Sequence, residues 1–230
     1  RIHTFHSFAN EIIKTYPDRF SRIIGREHME ELEQRRIMQG AIDNAKTVLL
    51  RPRNDPGYYV PHCISALKEL KRENINPKEF KKLVLEQEGT LTHSKDTVHK
   101  SGRFAGEVKG SHRFAIDRVK KNKELARVYD EYEKALAGKR LYDFEDMLME
   151  AVHTLERDRD LLLKLQEESQ YILADEHQDA NNAQNRLLEL LSSIHENPNL
   201  FIVGDEKQAI FRFQGASLEN FLYFNRLFKN

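Results

Sequence analysis

Two short apolar runs constrain this chain more than any other feature: YILAD at 171–175 and NLFIVGD at 199–205. Each ends in an aspartate, and a helical pattern over 182–193 lies between them. Strand, helix, strand in that order implies parallel strands joined by a right-handed crossover. Both acids then fall at the carboxyl ends of neighbouring strands, where open α/β sheets take their ligands. The expected class is therefore α/β, and the remainder of the chain makes it mostly helical.

That remainder reads as a series of helices. Residues 4–16 carry Phe5, Phe8, Ala9, Ile12, Ile13 and Tyr16 on one stripe, closed by Pro17. Residues 27–50 continue in charge-rich helical sequence, and RPRNDPGYYVP (51–61) is a loop or turn region. Short helices are expected at 62–73 and 77–88, followed by a long Gly-, Ser-, Lys- and His-rich loop at 89–112. From 114 the three- and four-residue spacing returns through Leu125, Val128, Tyr129, Tyr132 and Leu136, with Gly138 as the stop. Asp143 is placed to cap a helix that turns Phe144, Met147, Leu148, Ala151, Val152 and Leu155 inward, and another helix covers 158–168.

Composition narrows the functional classes. No apolar run approaches the roughly 20 residues that span a bilayer, and no signal peptide opens the chain. A single cysteine, Cys63, excludes an internal disulfide and a cysteine-based zinc site, which fits a reducing, cytoplasmic setting. The net charge is zero but unevenly spread: residues 95–140 hold 13 Lys/Arg against 7 Asp/Glu, and residues 141–200 hold 4 against 14. A polyanion on one surface and a metal ion at the other fit that asymmetry; two solvated helical faces fit it as well.

The chemistry concentrates at the two strand ends. Asp175 and Glu176 stand where the first strand gives way to a loop, with Gln178 and Asp179 close behind. The first acid of such a pair can hold Mg²⁺, mostly through water, while the second orients or deprotonates an attacking water. The plainer reading is an acidic helix start, with Asp179 as its cap. FIVGDEKQAIFRFQGAS repeats the design: Asp205 ends a strand, Gln208 follows in a loop, and Phe211 and Phe213 flank Arg212. Those aromatics fit either a stacking surface for bases or an apolar core.

These motifs carry a resemblance. YILADEHQDANNAQ resembles motif II of the UvrD/Rep/PcrA helicases of superfamily 1, and VGDEKQAIFRFQGAS their motif III. TFHSFA (4–9) is similar to their motif Ib, and YDFEDML (142–148) to the acidic segment that precedes motif II. The resemblance implies a partial RecA-like parallel sheet of the P-loop NTPase type in residues 1–20 and 141–230, with a helical 1B subdomain inserted at 21–140. It also implies an ATP-dependent helicase that moves 3′ to 5′ on single-stranded and forked DNA, with Mg²⁺ and ATP as cofactors. Carried over, Asp175 holds Mg²⁺, Glu176 activates water and Gln208 senses the γ-phosphate. Gln178, Asp179, Asp205 and Gln214 couple nucleotide state to motion. Thr4, His6 and Phe213 touch single-stranded DNA, and Arg113, Arg118, Lys120, Lys121 and Lys123 meet duplex phosphates.

The sequence also departs from the pattern. Ala180, Ala209 and Phe211 replace the usual Thr, Ser and Tyr, His177 stands at a usually aromatic position, and Gln214 replaces an arginine that links nucleotide to DNA track. No G-x-x-x-x-G-K-[ST] loop occurs. The expectation is thus a piece of a longer helicase, inactive in ATP hydrolysis alone, whose strand at 200–205 forms an apolar edge open to self-association. Two rivals follow: a catalytically silent DNA-binding module that retains the helicase fold, and a two-metal nuclease built on Asp175, Glu176, His177, Asp179 and Asp205.

Overall fold

The computed structural model describes residues 2–93, 109–193 and 199–205. Among these the chain is mostly helical, with two small parallel sheets, and it divides into two compact units.

The first unit comprises Arg1–Met29, Lys68–Asn74 and Arg140–Asn230. Thr4 caps α1 (Phe5–Thr15), its hydroxyl accepting the Ser7 N–H at 3.2 Å. Asp143 caps α6 (Phe144–Arg157) in a reciprocal box with Asp146, as its position before the apolar stripe foretells. The stripes of α1, α6, α7 (Arg159–Glu168) and α8 (Asn182–Ser192) meet in one core, where Ala9, Leu148, Ala151, Val152, Leu155 and Leu187 are almost fully buried. β3 (Ile172–Ala174) pairs in parallel with β4 (Leu200–Ile202) in the register Ile172↔Leu200, with α8 as the crossover between them. The strand–helix–strand unit is present as the apolar runs require. Leu173, Phe201 and Val203 are exposed along it.

The second unit comprises Glu30–Leu67 and Ile75–Lys139. Helix α5 (Gly110–Lys139) packs on α2 (Glu31–Asn44) and on α4 (Pro77–Thr92), and α3 (Val60–Arg72) starts in this unit. Two buried tyrosines carry their hydroxyls to partners: Tyr129 donates to the Ile75 carbonyl at 3.2 Å, and Tyr132 accepts from Gln34 at 3.0 Å. Cys63 is buried, which pushes its thiol up to about 11 and leaves it inert.

Three expectations need correction. Residues 27–50 are not one helix. Glu27–His28 form β1, parallel to β2 (Leu141–Tyr142), and α2 ends at Asn44. Beyond it Lys46 adopts a left-handed φ of 49°, and the buried carboxylate of Glu124 accepts the N–H groups of Val48, Leu49 and Leu50 at 2.8–3.1 Å. A charged acceptor there competes successfully with helical carbonyls. Gly138 does not stop α5, which runs to Lys139; the left-handed residue is Arg140 (φ 55°), whose carbonyl accepts the Glu27 N–H at 2.9 Å as β2 begins. The segment 89–112 is helical at both ends, because α4 runs on to Thr92 and α5 starts at Gly110. Its middle, 94–108, lies outside the described residues.

Candidate active site

The β3–β4 ladder continues past its last strand residues. Val203 donates to the Ala174 carbonyl at 2.8 Å, and His177 donates to the Val203 carbonyl at 3.0 Å. This brings Asp175–Asp179 alongside Val203–Asp205. Glu176 sits in the left-handed region (φ 51°, ψ 37°), and its N–H is held by the Asp175 carboxylate at 2.9 Å. A non-glycine residue there costs on the order of 1–3 kcal/mol, and such strain gathers at functional sites. It turns the chain sharply into a short 3₁₀ turn at His177–Asp179 and leaves Asp175, Glu176 and Asp179 exposed together.

Gln178 ties the two strand ends together. Its buried amide accepts the Asp205 N–H at 2.9 Å and donates to the Glu176 carboxylate at 2.5 Å. One side chain thus fixes the rotamer of the candidate base and senses the backbone at the end of β4. The plain alternative, with Asp179 as a helix cap, does not hold: Asn181 caps α8 in a reciprocal box with Gln184. The acids are therefore not committed to capping.

His177 is buried at 2% exposure, and burial pulls its imidazole down to about 4. The folded state holds this proton more weakly than the unfolded chain. Its contribution is therefore complete above the unfolded value of 6.5 and is lost as pH falls toward 4, an effect on the order of 3 kcal/mol. Denaturation titrated from pH 7 to pH 4 is expected to show wild type losing that much relative to His177→Phe. Parallel profiles would show that His177 does not titrate in this way.

The residues present fit a magnesium ion at one or two carboxylates, since Mg²⁺ keeps several waters and borrows phosphate oxygens. Asp175 is the exposed carboxylate nearest the strand end. Among the described residues no group of three His, Cys, Asp or Glu is arranged to hold a metal, so the nuclease reading finds no ligand cage.

The motif at the chain start lies in the same unit. Phe5 packs against the cluster of Ala174 and Leu188, next to β3. The Thr4 hydroxyl is engaged in capping, and His6 stacks on Phe144 (3.9 Å, 17°) within 3.5 Å of Glu145. Burial pushes the Glu145 carboxyl up, but His6, Arg72 and Lys68 more than offset it and hold it below its ordinary value. Gln208, Phe213 and Gln214 lie outside the described residues.

The five cations assigned to DNA do not form one face. All lie exposed on α5, but helical spacing separates them. Lys120 and Lys123 line a groove of about 560 Å³ with Leu49, Val84, Leu85 and Arg127, and Lys123 is bound there by Glu88 at 2.8 Å. Arg118 and Lys121 fall on another face, with Lys121 donating to the Tyr59 hydroxyl at 3.0 Å. Sequence reasoning missed a second polar centre altogether. Lys71 is 1% exposed and donates to Asp143 and Asp146, each at 2.6 Å, while Arg72 reaches Glu145 at 3.2 Å. The available signal was the spacing of Lys68, Lys71 and Arg72 on one side of α3, set against the acids of DFEDML.

Comparison with known proteins agrees with the motifs. Residues 1–229 match the family model described as the UvrD/REP helicase N-terminal domain. The chain is 33% identical over 162 residues to an ATP-dependent DNA helicase PcrA of Bacillus subtilis (strain 168), covering 70% of this chain and 20% of that protein. A PcrA of Staphylococcus aureus (strain Mu50 / ATCC 700699) is 32% identical over 157 residues, 68% of this chain and 20% of its own. A probable DNA helicase of Mycoplasma pneumoniae (strain ATCC 29342 / M129 / Subtype 1) is 41% identical over 99 residues, 43% of this chain and 18% of its own. The chain thus spans about a fifth of the PcrA relatives it matches. It belongs to the UvrD/REP helicase N-terminal domain family.

Proposed function

We propose that this chain is a segment of an ATP-dependent DNA helicase moving 3′ to 5′. In this reading the first unit is part of a RecA-like ATPase domain and the helical second unit is the inserted 1B subdomain. The observation that carries the reading is the Gln178 bridge, which joins the Glu176 carboxylate to the end of β4. A motor needs its hydrolytic base to respond to a neighbouring strand end, and a buried amide hydrogen-bonded to both supplies that link.

Bound Mg²⁺·ATP supplies a polarised γ-phosphate and counter-charge for its hydrolysis. Asp175 is the residue that would hold the metal, through water. Glu176, held by Gln178, accepts the proton of the attacking water. Gln208 senses the γ-phosphate, and Gln178, Asp179, Asp205 and Gln214 relay the outcome. Thr4, His6 and Phe213 meet the single strand, and the α5 cations meet duplex phosphates in a salt-sensitive, sequence-independent way.

The test uses the longer protein that contains this segment, with Mg²⁺ and ATP, on duplexes bearing a 3′ or a 5′ single-stranded tail. Unwinding of the 3′-tailed duplex alone is expected. Unwinding of the 5′-tailed duplex alone would overturn the polarity. No unwinding, with DNA binding intact, would favour a silent module that keeps the fold for binding.

A further inference from the structure

The helical unit carries an exposed strip in which aromatic rings flank two cations, and neither the hydrolytic site nor the groove on α5 uses its rings. Phe114, Arg118 and Lys121 follow one another at four- and three-residue steps, so they share one face of α5 over about 10 Å of helix. Phe114 is 77% exposed. At the end of this face, Lys121 donates to the Tyr59 hydroxyl at 3.0 Å and lies 5.1 Å from that ring's centre. Tyr58 stands perpendicular to Tyr59 at 5.0 Å and nearly parallel to His62 at 5.4 Å and 24°, yet remains 54% exposed.

The two tyrosines sit on an anchored turn. Asp55 caps the turn before them by accepting the Gly57 N–H at 3.1 Å on its side chain and the Tyr58 N–H at 3.2 Å on its carbonyl. The His62 ring reaches the Tyr58 carbonyl at 3.2 Å, and α3 begins at Val60. A preformed surface of this kind loses little entropy when a flat ligand lands on it. Asp117, the acid beside these cations, is paired with Lys120 at 3.8 Å.

We propose that this strip is a track for unpaired nucleic acid, with bases stacking on Tyr58 and Phe114 and phosphates seated on Arg118 and Lys121. Base–aromatic stacking tolerates any sequence, because every base has a π-face. A paired duplex offers phosphates to Arg118 and Lys121 but no free base faces to the rings, so the chemistry of the strip selects single strands. The inference rests on the DNA reading above and narrows it, because it moves Arg118 and Lys121 from duplex phosphates to the unpaired strand and leaves Lys120 and Lys123 to the groove.

Fluorescence anisotropy of the 230-residue chain with labelled oligo(dT), and with an abasic strand of equal length, tests this at low salt. Oligo(dT) is expected to bind about 10-fold tighter than the abasic strand. Tyr58→Ala and Phe114→Ser, each checked for folding by circular dichroism, should each weaken oligo(dT) by roughly 5-fold or more and leave the abasic strand unchanged. Tyr58→Phe should retain the preference, and Lys121→Ala should weaken both strands alike. Equal binding of the two strands, or a preference that survives Tyr58→Ala and Phe114→Ser, would overturn the stacking track while leaving the DNA reading intact. The second of those results would assign base contact to Phe213 or another ring. Failure of both strands to bind would overturn the track, and the unwinding assay on the longer protein then decides the DNA reading separately.

Discussion

Replacing Lys71 with alanine is expected to destabilise the first unit by about 3–5 kcal/mol, the usual cost of stranding a buried ion's partners. Lys71 has 1% of its surface exposed, and its ammonium lies 2.6 Å from both Asp143 and Asp146. Those aspartates are also the capping box of α6, each accepting the other's backbone N–H. Without the cation, two carboxylates about one helical turn apart repel each other at the start of the helix that contributes most to the core. The chain's melting midpoint should fall by roughly 10 °C. Lys71→Ala combined with Asp146→Asn should recover part of the loss, because one of the stranded charges is removed. A midpoint shift of less than about 2 °C for Lys71→Ala would show that the triad contributes little.

Where the sequence speaks through repeated spacing or a cap, it predicts the structure well. Helix α6 is legible because Asp143 precedes an apolar stripe at three- and four-residue steps, and β3 and β4 because short apolar runs flank one helical stretch. Elements fixed by distant partners are not legible. β1 and β2 are two residues each and exist only as a pair, so neither has a pattern of its own. The exit from α2 depends on Glu124, more than seventy positions away, which captures three successive N–H groups. Lys71 reads as one more charge on a helix face until Asp143 and Asp146 are placed beside it.

The site divides in the same way. The residue types at both strand ends were readable from the motifs, and the βαβ order predicted that they would lie side by side. The left-handed backbone of Glu176 has no sequence signal, since glycine is the residue that normally marks such a position. The Gln178 bridge has no sequence signal either, because only the register of β3 against β4 brings the Asp205 N–H within reach. The α5 cations form one basic stretch in sequence, yet the 3.6-residue period of the helix places them on different faces.

The measurement that bears most directly on the central claim is DNA-stimulated ATP hydrolysis by the longer protein, wild type beside Glu176→Gln. The amide matches the carboxylate in shape but cannot accept the proton of the attacking water. A positioned general base contributes about 10²- to 10⁴-fold, so kcat should fall by about 10³-fold while affinity for single-stranded DNA stays within about 3-fold of wild type. That result would establish the β3 end as the hydrolytic site and the bond cleaved as the β–γ phosphoanhydride. Stimulated turnover that survives the substitution would contradict the account.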